Sequence, residues 1–526
     1  MENDFAIKNI PDNWELITLG ELLDKEGGAV QTGPFGSQLH ASDYVEKGIP
    51  SVMPKNITIE GINQDDIARI TYEDAHRLKK YLLAKGDIVY SRRGDVEKCA
   101  LVKNNESGWL CGTGCLRVRL GANSKLTPEY LHAYLSAPAI REWISRNAVG
   151  ATMPNLNTGI LKNVPLIVPT KKATQFIADA WLTINSKITL NQKTNQTLEQ
   201  MAQALFKSWF VDFDPVFDNL LASVDFKLES LENRLPDNLK LKAQRRLAVL
   251  NSLENAAECK ASLIALAHEL QAQLPTKEAT QAAVQVSEKA AETSVKANLN
   301  ANPNILAQHA NTHAHFPCEF EHNEQLGWIP KGWTASNVGA EFDVVMGQSP
   351  PGSSYNEEKK GIPFFQGKTD YGFRFPTNRV YCTSPKRLAR KNDTLVSVRA
   401  PVGTINLAAE DCAIGRGLAA VRHKSGSISF TYYAMNDLAK HFAVFEGEGT
   451  VFGSINQKDF NAITQLSYPL ELILYFSSIC SNWDNKIEQV SHQTIVLTKI
   501  RDTLLPKLIS GEVQIPDVTT DEKIVD

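Results

Sequence analysis

At 526 residues, with 43% hydrophobic and 22% charged side chains, the chain is long enough for several domains, each with its own core. It has no run of about 18 apolar residues and begins Met1-Glu2-Asn3-Asp4, so neither a membrane span nor a secretory signal is expected, and the cytoplasm is the expected location. The net charge of −4 gives no global pull toward nucleic acid, so a polyanionic partner has to be met by local patches.

In chain order, residues 1–168 read as a mixed, strand-rich domain, with β-prone runs at Asp87–Ser91 and Leu116–Leu120 and a helical patch at Thr127–Leu135. Residues 169–216 form a long helical pattern. Residues 217–325 are an insert that reads as helical over 229–273. From 275 to 316 large apolar side chains are few, which predicts a solvated helix or a linker. A second strand-rich domain follows at 326–468, with a run at Thr394–Val398. A second long helix at 469–512 and a tail at 513–526 close the chain. Pro506 is expected to kink or end the last turn of that helix.

The two halves repeat. Asn13-Trp14 and Leu19-Gly20 match Gly332-Trp333 and Val338-Gly339. Gly48-Ile49-Pro50 with Lys55 matches Gly361-Ile362-Pro363 with Lys368, and the run from Asp87 to Arg93 matches the run from Asp393 to Arg399. Gly150–Asn157 matches Gly449–Asn456. The helices agree in register as well. Ile177, Trp181, Ile184, Ile188, Asn191, Asn195, Leu198, Ala202, Leu205 and Trp209 alternate steps of four and three. So do Phe476, Cys480, Trp483, Ile487, Val490, Thr494, Leu497, Arg501, Leu504 and Leu508. Such a 3.5-residue stripe predicts a coiled coil in which each helix is the other's partner, or an amphipathic helix lying on its own domain. Asn191 and Asn195 either fix the register of the seam or mark a wet, splayed middle.

Basic residues concentrate inside the domains. Lys85–Arg119 holds seven Lys/Arg against four Asp/Glu, and Gln366–Lys424 eleven against four. Two excesses at repeat-equivalent places suit domains that face phosphates. The candidate DNA-contacting residues are Ser91, Arg92, Arg93, Thr113, Thr152, Asn155 and Asn157 in the first half. In the second they are Lys368, Ser397, Arg399, Arg416, Thr450, Ser454 and Asn456. An arginine after a strand can fork onto a guanine edge or a phosphate, hydroxyls and amides suit adenine edges or phosphates, and glycines around Thr113 and Arg416 would let backbone approach a duplex. For any one of them, support of the fold is an equally good reading.

Catalytic patterns are missing from the sequence. There is no G-x-x-x-x-G-K-[ST] phosphate loop, no H-E-x-x-H and no aromatic Pro-Pro loop of an amino-methyltransferase. Glu357-Glu358-Lys359-Lys360 reads as a solvated loop tip rather than a nuclease centre. His309, His313, His315, Cys318 and His322 lack the tight pairs of a metal site, and the eight cysteines contain no C-x-x-C, so no metal is expected.

The run Asn191-Gln192-Lys193-Thr194-Asn195-Gln196-Thr197-Leu198-Glu199, leading into Phe206-Lys207-Ser208-Trp209-Phe210-Val211-Asp212-Phe213-Asp214-Pro215-Val216, resembles the central region of type I restriction-modification specificity subunits. Leu326–Trp333 and Leu504–Glu512 are similar to that family's entry into its second domain and its C-terminal helix ending. The resemblance covers essentially the whole chain, apart from the long stretch 217–325, which departs from the usual pattern. It implies an α+β fold: two strand-rich target recognition domains separated by two long antiparallel coiled-coil helices with an internal pseudo-two-fold. It also implies a non-catalytic subunit that reads an asymmetric bipartite site in double-stranded DNA and docks two methyltransferase subunits, to which restriction/translocase subunits add. S-adenosylmethionine, ATP and Mg are then expected on those partners, with no cofactor on this chain. A helix of about 30 residues is roughly 45 Å long, on the order of a dozen base pairs, so the helices would set an unread gap. The opposing expectations are a self-sufficient nuclease or methyltransferase, which needs the motifs just found missing, and a coiled-coil protein-interaction adaptor, which two basic patches disfavour.

Overall fold

The computed structural model describes residues 10–513 apart from 59–60, 151–153, 233, 254, 273–310, 400 and 443–452, together with residue 515. They divide into two compact units, residues 1–195 with 488–526 and residues 196–487. Each of the two long helices, Lys171–Phe206 and Leu470–Ile509, lends a part of its length to each unit.

In the first unit, Glu15–Thr18 pairs antiparallel with Pro165–Val168 and so ties the two ends of the domain together. Between them lies an antiparallel sheet in the order Ala29–Thr32, Cys115–Arg119, Ile88–Ser91, Cys99–Leu101. Ile88-Val89-Tyr90-Ser91 is buried along its whole length, as a continuous β-branched and aromatic run should be in a central strand. A second sheet contains a parallel pair, Ile49–Val52 with Leu110–Cys111.

The second unit repeats this plan. Thr334–Asn337 pairs with Thr464–Ser467, and the sheet order is Phe342–Met346, Leu418–His423, Thr394–Ser397, Ile405–Leu407. The parallel pair recurs as Ile362–Phe365 with Cys412–Ile414. Even the cap after the first strand recurs, since Thr18 and Asn337 each accept a hydrogen bond from the third residue of the helix they open.

The helical stripe is the packed face. Every residue of both predicted stripes is buried or half-buried, including Trp181, Ile184, Ile188, Leu198 and Leu205 on one helix and Trp483, Ile487, Val490, Leu497 and Leu504 on the other. Within the first unit the amide of Asn191 donates to Gln493 (3.0 Å), Asn195 to Ser491 (2.9 Å), and Arg501 to Asn185 (3.1 Å). Rising numbers on one helix meet falling numbers on the other, so the pairing is antiparallel. The two asparagines are thus register-fixing seam residues. Within the second unit, Ala202 and Phe206 share a core with Phe476 and Cys480.

Two expectations at the helix ends change. Pro506 does not end the second helix, which runs on to Ile509. The first helix does not continue to 216. Its α-helical part stops at Phe206, a π-helical turn covers Lys207–Val211, and Phe213 takes a left-handed φ of 60° before a new helix, Asp214–Ala222. Phe206, Trp209 and Phe210, at i, i+3 and i+4, share one face and all turn into one core.

The insert begins with that helix and adds Asp237–Asn251 and Ala256–Ala272. Its Asp218 is fully buried, takes a two-pronged bond from Arg246 (2.6 and 2.8 Å), and lies 3.0 Å from His313. His313 is therefore a partner of a buried carboxylate. The predicted solvated stretch falls almost wholly on residues 273–310, outside the described residues.

Arg374 is fully enclosed at 1% exposure, although the sequence places it in a basic patch. Its guanidinium binds Glu199 of the first long helix (2.7 Å), Asp484 of the second (2.6 Å) and the Tyr433 hydroxyl (3.0 Å). It also lies over the Tyr432 ring, 4.3 Å from the centroid. Truncation would strand two carboxylates, so Arg374→Ala should cost about 3–5 kcal/mol. Adding Glu199→Gln and Asp484→Asn should restore part of it. Chemical denaturation checks both, and a loss under about 1 kcal/mol would show the cluster to be idle.

His132 packs edge-on against Trp181, and burial holds its imidazole down to a pKa of about 4. The folded state keeps the ring neutral while the unfolded chain protonates it near pH 6.5. This stability is fully present above that value and is lost as pH falls toward 4, by about 3 kcal/mol. His132→Leu should flatten the fall of the denaturation midpoint between pH 7 and pH 5. An unchanged slope would contradict this.

Candidate nucleic-acid interface

Much of the charge counted along the chain is neutralised inside each domain. Arg117 and Arg119 turn to the buried Asp87, with Arg119 forking onto it at 2.6 Å, and Lys98 pairs with Asp95. In the second half Arg422 turns to Asp393 and Arg379 to Asp370, while Arg374 is enclosed. What remains outward is narrower than the patches suggest.

Three loops far apart in sequence are brought together in each half. In the first, the backbone N–H of Arg92 donates to Gly114 (2.8 Å) and its carbonyl accepts from Leu156 (2.9 Å). Arg93 forms a β-bridge with Asn155. In the second, Val398 donates to Gly417 (2.8 Å) and accepts from Ile455 (3.0 Å), and Arg399 bridges Ser454. A fourth segment joins from the parallel pair, where Gly112 donates to Val52 and Gly415 to Phe365. The candidate residues Arg93 and Asn155 thus share one surface, and so do Lys368, Arg399, Arg416 and Ser454, whereas the Thr113 hydroxyl is enclosed.

In the second half that surface is concave. A pocket of about 600 Å³ is lined by Lys368, Arg399 and Arg416 together with Ser349, Gln366 and Thr369. No carboxylate lines it, and among the described residues none of its three cations makes an ion pair. Three uncompensated cations around an open pocket form a site for a polyanion, and the neutral groups beside them offer donors and acceptors to a base edge.

Other candidates have different work. Ser91 and Ser397 are each 1% exposed, and their hydroxyls are used inside the turns they begin. Ser91 donates to the Arg93 carbonyl; Ser397 donates to Pro401 and accepts from Thr404, all at 2.8 Å. They do not face outward. Asn157 and Asn456 are helix N-caps, accepting from Ile160 (2.8 Å) and Asp459 (3.0 Å). Arg92 is half-buried, with its Nε enclosed. The glycines do permit close approach, but of the chain to itself: a Cβ at Gly417 would lie 2.3 Å from the Gln366 carbonyl, and one at Gly112 2.6 Å from that of Val52. Thr152 and Thr450 lie outside the described residues. Sequence reasoning left out Lys55, Ser349, Gln366 and Thr369, although its own repeat matched Lys55 with Lys368. Among the described residues no cluster of His, Cys, Asp or Glu could hold a metal ion, and no helix is long and apolar enough to cross a membrane.

Residues 11–200 match the family model of the type I restriction modification DNA specificity domain. A Methanocaldococcus jannaschii protein, provisionally named as the MjaX specificity subunit of a type I restriction enzyme, is 33% identical over 204 residues. That match covers 37% of this chain and about half, 48%, of the relative. The specificity subunit of the type I restriction enzyme HindI from Haemophilus influenzae is 25% identical over 451 residues, 82% of this chain and 88% of the relative. The crystal structure of a type I restriction-modification S subunit from M. genitalium overlaps 97% of this chain and 98% of its own, at 16% identity and a TM-score of 0.48. Over most of its length the chain is thus similar to specificity subunits of type I restriction enzymes, and residues 11–200 carry the match to the DNA specificity domain.

Proposed function

We propose that this chain is the DNA-reading subunit of a type I restriction-modification complex, each half contacting one half of an asymmetric bipartite target. The observation that carries this reading is the open pocket of Lys368, Arg399 and Arg416, built on three loops whose backbone pattern the first half repeats. Because the two halves share backbone but differ in side chains, the half-sites differ. The chain performs no chemistry. Two methyltransferase subunits dock on the long helices and restriction/translocase subunits add to them, in the cytoplasm, with S-adenosylmethionine, ATP and Mg bound on those partners.

Arg399→Ala with Arg416→Ala should weaken binding of target duplex at least about ten-fold and make the salt dependence shallower, by roughly 0.9 in slope for each phosphate left without its cation. Binding isotherms across a salt series read both effects. Unchanged affinity and slope would remove the pocket from the interface.

The long helices, in this reading, set the length of the unread gap. One helical turn added to each, within Leu190–Leu198 and at the facing stretch of the other helix, should lengthen the gap and leave both half-sites intact. Methylome sequencing of a host carrying the variant with its methyltransferase checks this. Altered half-site sequences would contradict it.

A further inference from the structure

The hydrogen bonds that repeat between the halves also fix which residue of one stands in the place of which residue of the other. Gly33 donates to Cys115 (2.9 Å) as Gly347 donates to Leu418 (2.8 Å). A Cβ on Gly33 would meet the Gly112 carbonyl at 2.1 Å, and one on Gly347 the Gly415 carbonyl at the same 2.1 Å. Gly112 to Val52 and Gly415 to Phe365 supply the second anchor. Counting outward from these anchors, Lys55 and Arg93 take the places of Lys368 and Arg399. Thr113 takes the place of Arg416, Met53 that of Gln366, and Phe35 that of Ser349. Two cations are kept, Arg416 gives way to the shorter Thr113, and Gln366 and Ser349 give way to the apolar Met53 and Phe35.

Phe35 is 55% exposed, and its turn is held firmly. Its N–H donates to the side-chain oxygen of Gln38 (3.2 Å), its carbonyl accepts from the Gln38 N–H (2.8 Å), and the Tyr81 hydroxyl donates to that same Gln38 oxygen (2.8 Å). Met53 is half-buried and fixed by a bond from its N–H to Asn56 (3.0 Å). Its sulfur lies against the Gly112-Thr113-Gly114 turn, where a Cβ on Gly112 would be 2.7 Å away. A benzyl ring presented to water on an ordered turn, with two cations at the repeat positions of the second half's pocket, suits a ligand that is charged along its backbone and apolar at one edge. In duplex DNA the apolar group on a base edge is the thymine 5-methyl in the major groove.

Resting on the reading that both halves contact DNA, we propose that Phe35, backed by Met53, reads a thymine methyl in the first half-site. Lys55 and Arg93 meet the flanking phosphates. The second half reads through Gln366, Ser349 and its three cations. The two halves thus differ in the kind of chemistry they use as well as in the bases they select.

The test uses the full chain with its methyltransferase partner and a duplex carrying the target found by methylome sequencing. Thymines are replaced one at a time by deoxyuridine, which removes only the methyl group. One replacement in the first half-site should weaken binding roughly three- to ten-fold, as expected for one buried methyl. Phe35→Ser should bind that duplex and the parent alike, keep its response to changes in the second half-site, and keep its denaturation midpoint because the ring is exposed. A wild-type chain indifferent to every replacement in the first half-site overturns the proposal, and so does a Phe35→Ser variant that still discriminates. A wild-type complex that selects no target sinks the functional reading itself, a distinct result.

Discussion

In each half a strand end is hydrogen-bonded on both flanks, and the candidate interface depends on that arrangement. Arg92 gives its N–H to Gly114 and its carbonyl to Leu156; Val398 does the same with Gly417 and Ile455. These bonds involve only backbone atoms, so the side chains next to them can change without dismantling the surface. Reading a base edge needs donors held to within a fraction of an ångström, which a loop stitched on both sides can provide. The glycines belong to the same constraint. At Gly33, Gly112, Gly347 and Gly417 the place of a Cβ is occupied by another stretch of backbone, and the loops close on one another because nothing stands between them.

Charge is sorted behind that surface. Asp87 and Asp393 occupy repeat-equivalent places and draw Arg119 and Arg422 down onto the sheet. Arg374 goes further inward and joins both long helices of its unit through Glu199 and Asp484. Burial pushes the Glu199 carboxyl up even beside that guanidinium, so desolvation is a large cost here and geometry has to be good to meet it. The segment that supplies Gln366 and Lys368 to the pocket also supplies Arg374 to the helices. Pocket and spacer are therefore two ends of one short loop within the second unit.

The aromatic run after the first long helix does a different job. Phe206, Trp209 and Phe210 pack with Phe430, Tyr468 and Phe476 in one core, and just beyond them the chain passes from α-helix through a π turn to a left-handed Phe213. From there the insert folds onto the entry of the second domain, with Asn219 donating to the carbonyls of His313 and Phe316 (2.9 Å each). Its polar core of Asp218, Arg246 and His313 is assembled from places 28 and 95 residues away from the aspartate.

The sequence alone determined the repeat, the two strand-rich domains and the buried stripe of each long helix, because these rest on local periodicity and on order along the chain. A 3.5-residue stripe has to bury one face, and a continuous β-branched run has to lie inside a sheet. It also indicated which loops matter, since repeat-equivalent basic residues do not need tertiary structure to be noticed. Tertiary structure decided which of them face outward. Arg374 and Arg399 look alike in the sequence, yet one is enclosed by carboxylates of two helices and the other stands at an open pocket. Likewise Ser91, Ser397, Asn157 and Asn456 carry groups suited to bases, but those groups are taken up by turns and helix caps. The partners of Arg374 come from 110 and 175 residues away, and periodicity carries no information about them.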